Sequence, residues 1–171
     1  MRSDIIMIGM PGSGKTTIGK ALSALLGLGF IDTDRVLEKR EHMALREILD
    51  HHGVEYFLEA EEAAILDCRA ENTVIATGGS VALSAAAMHH LGAMGTFVFL
   101  DVGYFDLKNR IQNMDQRGIV FRPGQGLLEI YEERKPLYEK WADLTVKIND
   151  DDGQSSNWVV SEIVKNIRKY A

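Results

Sequence analysis

Gly9-Met10-Pro11-Gly12-Ser13-Gly14-Lys15-Thr16 is the stretch that decides the fold of this 171-residue chain. It matches G-x-x-x-x-G-K-[ST], the pattern of a phosphate-binding loop, or P-loop. The apolar run before it, residues 5–8, is typical of a strand buried on both faces. After it, apolar residues recur at helical spacing over 18–26, and Gly27 stands where a helix commonly ends. Strand, glycine loop and helix therefore occur in the order that a P-loop requires.

The glycines of this loop allow a tight backbone turn whose N–H groups point inward and bind an anion. The N-terminus of the following helix adds partial positive charge at the same place. Lys15 is expected to reach the β- and γ-phosphates, and the Thr16 hydroxyl to ligate Mg²⁺. The alternative, a turn that only connects strand and helix, fits this context less well. The residues expected to bind the nucleotide here are Gly9, Pro11, Gly12, Ser13, Gly14, Lys15, Thr16 and Thr17.

The composition bounds the class of protein. A hydrophobic content of 46% and a charged content of 26% indicate one globular domain, spanning residues 1–171. The net charge of −6 argues against a nucleic-acid binder, which usually carries a basic face. Cys68 is the single cysteine, so no intramolecular disulfide forms. With no signal peptide and no apolar run of about 20 residues, we expect a monomeric cytoplasmic protein without membrane contact.

Apolar runs alternate with helical patterns along the chain, which is typical of a parallel α/β sheet. The predicted strands are 5–8, 29–32, 73–77, 96–100 and 144–148. The predicted helical segments are 18–26, 35–50, 54–69, 83–91, 104–114, 127–141 and 156–168, and Gly53 separates the second from the third.

Residues 115–126 form a polar, basic stretch between two predicted helices. Loops of this length in compact domains are often lids. Glycines and charged side chains give this one little to bury, so we predict that it is mobile and closes when nucleotide binds. The acidic run Asp150-Asp151-Asp152 is interpreted as a solvated loop and not as a cation site.

Polar residues follow the predicted strands at the end where open parallel sheets bind ligands. Asp32 and Asp34 follow the second strand and lie on one side of an extended segment. Phosphoryl transfer needs one carboxylate for Mg²⁺, a second to take the proton of the attacking hydroxyl, and cations near the phosphates. Helix capping by Thr33 or Asp34 is the alternative role, and the two roles are compatible. Other candidates at this end are Gly78, Gly79 and Ser80 after the third strand, Arg117 in the lid and Arg134 beyond it.

Five ordered motifs resemble those of shikimate kinases and cover nearly the whole chain. They are residues 9–19, Asp32-Thr33-Asp34, Gly53-Val54-Glu55-Tyr56-Phe57, Thr77-Gly78-Gly79 and Arg134-Lys135-Pro136-Leu137-Tyr138. The resemblance implies an α/β P-loop NTPase of the nucleoside-monophosphate-kinase type, with a five-stranded parallel sheet flanked by helices and a lid over about 115–126. It further implies ATP as the donor, Mg²⁺ as the cofactor, and acceptor-binding helices over about 34–70.

The resemblance also implies individual roles. On the donor side, Asp32 holds Mg²⁺ through water, Arg110 flanks the adenine and Arg117 closes over the phosphates, beside the catalytic Lys15. On the acceptor side, Asp34 binds the acceptor hydroxyl and is the candidate base. Glu61, Gly78 and Gly79 line the acceptor pocket, and Arg134 pairs with the acceptor's carboxylate.

The chain departs from the family pattern at three places. Leu58 stands where the family usually has an arginine, Ser80 where it usually has a third glycine, and Gly118-Ile119 where Pro-Leu is expected. Because Leu58 lies three residues before Glu61, the two share a helix face, and Leu58 is expected to face the acceptor pocket. The alternative is that Leu58 packs in the core while another cation, such as Arg122, supplies the charge; the sequence leaves both open.

These observations favour an ATP-dependent small-molecule kinase that converts shikimate to shikimate 3-phosphate. Another small hydroxylated acid or polyol, of the homoserine or gluconate type, is the alternative acceptor. A GTPase is disfavoured because no Asn-Lys-x-Asp segment exists. A non-catalytic nucleotide-binding module is disfavoured because Lys15, Thr16, Asp32 and Asp34 are all present.

Overall fold

Five strands and seven α-helices follow one another within the residues that the computed structural model describes, 3–111, 118–167 and 169. The strands are β1 (Asp4–Ile8), β2 (Gly29–Asp32), β3 (Thr73–Ala76), β4 (Gly95–Val102) and β5 (Leu144–Ile148). The helices are α1 (Lys15–Leu26), α2 (Thr33–Glu41), α3 (Leu45–Leu66), α4 (Ala85–Met94), α5 (Tyr104–Arg110), α6 (Leu127–Trp141) and α7 (Ser156–Ile167). Short 3₁₀ turns cover Val81–Leu83 and Asp150–Asp152.

The strands form one parallel sheet in the order β2-β3-β1-β4-β5. β1 lies at its centre, where Ile5 pairs with Val74 on one side and with Thr96 on the other. All five residues of β1 are buried, as its continuous apolar run predicts. The predicted five-stranded parallel α/β sheet is confirmed, and every carboxyl end lies at the same edge.

The predicted break at Gly53 is confirmed: its backbone is not helical and divides α3 into two helical segments that meet at a kink. Gly53 has φ 82° and ψ 178° inside α3, a left-handed φ that a side chain would oppose. The kink turns the second half of α3, which carries Phe57 and Glu61, relative to the first half. None of the helices in the described ranges is long and apolar enough to cross a membrane.

Two groups of buried apolar side chains stabilise the domain. The larger surrounds the sheet and includes Ile6, Leu22 and Val98. The smaller, here called the α2–α3 cluster, comprises Leu37, Ile48, Phe57, Ala60, Ala64 and Val120. It packs α2 against α3 and places a second apolar wall beside the carboxyl edge of the sheet.

The stretch predicted as a lid falls partly outside the described residues, and Arg117 is among those not described. Its described part begins at Gly118, which lies against Leu45 at the start of α3. Ile119 and Val120 are buried, the first in the larger core and the second in the α2–α3 cluster. The prediction that this stretch has little to bury is therefore wrong for Ile119 and Val120.

Candidate active site

A cavity of about 840 Å³ opens at the carboxyl edge of the sheet, between the loop after β1 and the segment after β3. Its walls combine the P-loop, the starts of α1 and α2, the kinked half of α3 and α6. Most residues that the sequence analysis selected line it together: Pro11, Gly12, Gly14, Lys15, Thr16, Thr17, Asp32, Asp34, Glu61, Gly78, Gly79, Ser80, Arg110 and Arg134.

The P-loop leaves the N-terminus of α1 open toward this cavity. Gly14 is the N-cap residue and adopts a left-handed conformation, φ 96°, that glycine accommodates without strain. No side chain caps α1, and its first turn contains no acidic residue. Its terminal N–H groups and the positive end of its dipole therefore face the cavity as a site for an anion.

Lys15 is held across this loop by three oxygens. Its Nζ donates to the carbonyls of Gly9 and Met10, each at 2.8 Å, and to Ser13 Oγ at 3.4 Å. Burial lowers the pKa of Lys15 to about 8, although the charges of Asp34 and Asp32 oppose that shift. The Lys15 ammonium group is thus hydrogen-bonded to neutral oxygens, and negatively charged phosphates can replace them.

Thr16 and Asp32 bring two hard oxygen ligands together. Thr16 Oγ1 donates to Asp32 Oδ2 at 2.9 Å, while Asp32 Oδ1 accepts from the Asp34 N–H at 3.1 Å. Among the described residues, no group of three or more acidic, histidine or cysteine side chains gathers at one point. This donor pair fits Mg²⁺, which commonly takes one or two protein ligands and fills its octahedron with water and phosphate oxygens.

The cap of α2 differs from the sequence-based prediction. Asp32 caps the helix through the Asp34 N–H, so neither Thr33 nor Asp34 has that role. Thr33 instead accepts from the Gly78 N–H through its Oγ1 at 3.1 Å, which ties the start of α2 to the end of β3. The side chain of Asp34 is left available to the cavity.

Asp34 lies beside Glu61, with Gly78 between them. A Cβ on Gly78 would contact both Asp34 Oδ1 and Glu61 Oε1, so any side chain there would displace the two carboxylates from these positions. Burial and the negative charge of Asp32 raise the pKa of Asp34 to about 6, against the opposing charge of Lys15. A carboxylate with a raised pKa is a stronger base than an exposed one.

Glu61 is 5% exposed and is fixed by one hydrogen bond. Its Oε2 accepts from Ser80 Oγ at 2.7 Å, and its Oε1 is buried without a hydrogen-bond partner. Burial raises the pKa of Glu61 to about 7, and the bond from Ser80 partly offsets the rise. The serine that departs from the family pattern is thus the hydrogen-bond partner of Glu61.

Arg134, on α6, is a buried cation with one unpartnered donor. It is 1% exposed, donates from Nη2 to the Val120 carbonyl at 2.7 Å, and has no partner at Nε. One turn further along, Tyr138 donates its hydroxyl to the Gly79 carbonyl, and burial raises its pKa. Arg134 and Tyr138 thus connect α6 to the backbone at Val120 and at Gly79, two residues that line the cavity.

The structure separates Leu58 and Arg122 from the cavity lining. Leu58 is partly buried and packs against the α2–α3 cluster, whereas its neighbour Phe57 both belongs to that cluster and lines the cavity. Arg122, the candidate substitute cation, lies instead near Glu133 at 3.4 Å and Glu55 at 4.0 Å. Leu58 therefore has the packing role, and Arg122 does not supply the positive charge that the family's arginine would bring to the cavity.

Asp150 has a contact that the sequence analysis missed. Arg110 lines the cavity, and Asp150 accepts from its Nε at 2.9 Å and from its Nη2. The bond to Arg110 lowers the pKa of Asp150. The acidic run is exposed, as the solvated-loop interpretation predicts, but its pairing with Arg110 was not foreseen because the arginine lies forty residues earlier and gave no local signal.

Other lining residues were also missed. Lys20, Phe30, Arg35 and Glu38 extend the donor-side and α2 walls, and Phe57 forms part of the α3 wall. Lys20 shares a helix with the P-loop lysine, and Arg35 and Glu38 follow the Asp32-Thr33-Asp34 motif closely, so proximity in sequence was the available signal. Phe57 belonged to a quoted motif, but its apolar side chain indicated only packing.

Known proteins resemble this chain in both sequence and fold. The family model of shikimate kinase matches residues 11–168. The shikimate kinase of Caldanaerobacter subterraneus is 37% identical over 150 residues, which cover 86% of this chain and 87% of that protein. Threonine synthase-like 1 of Macaca fascicularis is 36% identical over 169 residues, 98% of this chain but 22% of that protein. The structure of Acinetobacter baumannii shikimate kinase in complex with shikimate superposes with a TM-score of 0.85 at 26% identity, over 98% of this chain and 94% of that one.

Proposed function

The chain belongs to the shikimate kinase family, and from this premise we propose that it transfers the γ-phosphoryl group of ATP to the 3-hydroxyl of shikimate. The observation that carries the proposal is the composition of the single cavity described above. One wall holds a P-loop with an open helix N-terminus, and the other holds a basic carboxylate, Asp34, and a buried arginine, Arg134. A phosphoryl donor and a carboxylic acid with a hydroxyl group are the ligands that these walls fit.

On the donor side, the amides of the P-loop and of α1 bind the triphosphate. Lys15 exchanges its bonds to the loop oxygens for the β- and γ-phosphates, which stabilises the charge that develops during transfer. Thr16 and Asp32 hold Mg²⁺, which neutralises phosphate charge when it is bound. Arg110, held by Asp150, flanks the adenine, and Arg117, outside the described residues, is assigned to the phosphates by the family resemblance.

On the acceptor side, Asp34 accepts the proton of the attacking hydroxyl. Its raised pKa suits a general base that must be ionised near neutral pH and still bind a proton well. Arg134 offers its unpartnered donor to the acceptor's carboxylate, and charge-assisted bonds of this kind are strong and directional. Gly78 and Gly79 line the cavity between these groups, where Gly78 lies against the carboxylates of Asp34 and Glu61 and Gly79 against Pro11.

A second acceptor class is supported by Leu58. Leu58 packs against the α2–α3 cluster, and Arg122 lies near glutamates. Of the arginines that line the cavity, Arg134 is the buried one on the acceptor side, whereas Arg35 is paired with Glu38. One arginine binds a carboxylate less tightly than two do. A smaller hydroxy acid or a polyol, of the homoserine or gluconate type, is therefore the alternative acceptor.

An acceptor panel tests the assignment. The purified chain is given ATP, Mg²⁺ and shikimate, homoserine or gluconate, and both ADP release and the mass of the product are measured. We expect shikimate to have the highest kcat/KM and to gain one phosphoryl group. A higher value for homoserine or gluconate selects the alternative, and ADP release without a phosphorylated acceptor contradicts both.

Two carboxylate variants on α2 sharpen the panel. Asp34→Asn removes the proposed base and is expected to reduce kcat roughly 10²- to 10⁴-fold, the range for general base catalysis. Glu38→Gln is its matched control, because Glu38 lines the same cavity on the same helix but pairs with Arg35. An equal loss of kcat in both variants would show that the reaction depends on negative charge along this wall. It would contradict a specific role of Asp34 as the base.

We propose further that one copy of the chain is sufficient for activity. The support is that, among the residues that the structure describes, the proposed donor and acceptor groups of one chain meet in one cavity. Size-exclusion chromatography with light scattering, combined with activity measured across a dilution series, tests this. A constant specific activity at a monomer mass agrees with the proposal, and a loss on dilution contradicts it.

A further inference from the structure

Ser80 lies where the acceptor wall and helix α3 meet. It directly follows Gly78 and Gly79 at the end of β3 and precedes the 3₁₀ turn Val81–Leu83. Its hydroxyl donates to Glu61 Oε2 at 2.7 Å, and the two residues line the cavity with 5% exposure each. The pair therefore joins two chain segments at the cavity surface.

Glu61 lacks the partners that a buried carboxylate usually has. Within the described part of the chain, Ser80 is the hydrogen-bond donor it contacts, and no lysine, arginine or histidine there forms a salt bridge with it. Its Oε1 remains unpartnered beside Asp34. A buried polar group left half satisfied is costly, and in native proteins such groups commonly serve a site.

We propose that Ser80 and Glu61 form a hydroxyl-recognition relay in the acceptor pocket. An acceptor O–H that is not phosphorylated donates to Ser80 Oγ, and the Ser80 O–H in turn donates to Glu61 Oε2. A serine hydroxyl donates once and accepts twice, so the bond to Glu61 leaves its accepting capacity free. In this relay Ser80 binds the acceptor, and Glu61 is the positioning residue that orients and polarises the Ser80 hydroxyl.

The relay selects an acid with at least one hydroxyl beyond the one that is phosphorylated. It rests on the proposed function, because shikimate carries two such hydroxyls. Because Ser80 donates its proton to the Glu61 carboxylate, the serine oxygen can only accept a hydrogen bond from the substrate. A substrate oxygen that carries no hydrogen is therefore rejected at this position. The serine thus gains a specificity role that a glycine at the same position cannot have.

Charges around Glu61 give the relay a pH signature. Asp34 on α2 raises the pKa of Glu61, whereas Arg134 on α6 and Lys15 on α1 lower it. Burial is the largest cause of the raised Glu61 pKa of about 7, and the hydrogen bond from Ser80 lowers this pKa. Removing the serine hydroxyl therefore raises the pKa of Glu61, and the acidic limb of kcat/KM for the acceptor should move to higher pH.

Steady-state kinetics of Ser80→Ala and Ser80→Gly test the relay. We expect the KM for shikimate to rise roughly 5- to 20-fold, the effect of one lost hydrogen bond, with kcat and the KM for ATP unchanged. The glycine variant keeps the family's residue, so it supplies the result if the alanine variant folds poorly. Ser84→Ala is the control for lost stability, because Ser84 also donates to a glutamate of α3, Glu62, and caps α4, and neither Ser84 nor Glu62 lines the cavity.

Two further readouts separate recognition from packing. Wild-type enzyme should discriminate between shikimate and an analogue lacking one of the two hydroxyls that are not phosphorylated, and the Ser80 variants should lose that discrimination. The pH shift should disappear when Ser80→Ala is combined with Glu61→Gln. An unchanged shikimate KM, or discrimination kept in both Ser80 variants, overturns the relay while the proposed function stands. Absence of shikimate turnover in wild type overturns the proposed function itself.

Discussion

The donor and acceptor halves of the cavity are built in different ways. The donor half consists of one continuous loop, residues 9–17, with Asp32 beside it, and its polar groups have partners: Lys15 has three and Thr16 has Asp32. The acceptor half draws on four segments, at Asp34, Glu61, Gly78–Ser80 and Arg134. It contains two buried atoms without partners, Glu61 Oε1 and Arg134 Nε.

This difference follows from the two kinds of ligand. Phosphates are common to many substrates and can be bound by backbone N–H groups, which every residue supplies, so a short glycine motif suffices. A particular hydroxy acid must be distinguished by side chains, which have to converge from separate elements. The two buried atoms of the acceptor half that have no protein partner are a carboxylate oxygen and a guanidinium nitrogen, and a hydroxy acid has groups that can bond to both. The donor half therefore defines the reaction class, and the acceptor half defines the substrate.

Loss of Lys15 should have the largest effect. Lys15→Ala is expected to reduce kcat roughly 10³-fold, because a preorganised charge on the phosphates is lost, while the circular dichroism spectrum is retained. Lys20→Ala is the matched control, since Lys20 lies on the same helix, lines the same cavity and contacts the Phe30 ring. A fully active Lys15 variant would remove the P-loop from the reaction.

Arg134 provides the corresponding test on the acceptor side. Arg134→Gln should raise the KM for shikimate roughly 10- to 150-fold, because a charge-assisted contact contributes about 1.5–3 kcal/mol. Arg122→Gln removes the same charge from a residue outside the cavity lining and should leave this KM unchanged. The reverse pattern would show that the carboxylate binds near residue 122. Thermal unfolding of both variants checks that each is folded.

The fold could be predicted largely from the sequence because its signals are local. Continuous apolar runs marked the five strands, and the glycine motif fixed β1 and α1. Boundaries moved by a few residues, as with β4, which extends to Gly95–Val102 beyond the predicted 96–100. Thr33 and Asp34 were the residues named as possible caps of α2, but Asp32 is also a good cap, and backbone geometry selects it.

The acceptor half could be predicted only in part because its contacts join residues distant in sequence. The bond from Ser80 to Glu61 spans 19 positions, and the pairing of Arg110 with Asp150 spans 40. Neither follows from helical or strand periodicity. Leu58 shows the same limit: its spacing from Glu61 placed it on the pocket side, but it packs against the α2–α3 cluster, a tertiary contact that helical spacing does not reveal.

The buried carboxylate of the acceptor half should also reduce stability. Folding raises the pKa of Glu61 from 4.5 to about 7. The folded protein therefore holds this proton more tightly than the unfolded chain, and stability falls as the pH rises through that window. Glu61→Gln should increase the free energy of unfolding by about 1–3 kcal/mol near pH 8, and the gain should shrink toward about pH 5. Urea denaturation at both pH values measures it, and a gain independent of pH would contradict this origin.

The smallest expected effect tests whether one side chain can change the acceptor half. Leu58 packs against the α2–α3 cluster, whose members Phe57 and Val120 also line the cavity. An arginine at this position can lay its methylene groups along the cluster while its guanidinium extends into the cavity. Leu58→Arg should lower the KM for shikimate roughly 10-fold, by one added charge-assisted contact, with kcat unchanged because the carboxylate is remote from the transferred phosphoryl group. Leu58→Lys is the control, since it adds charge without a planar fork and should give a smaller gain. If the arginine variant keeps the wild-type KM and is less stable, residue 58 has only a packing role, and Arg134 alone binds the carboxylate.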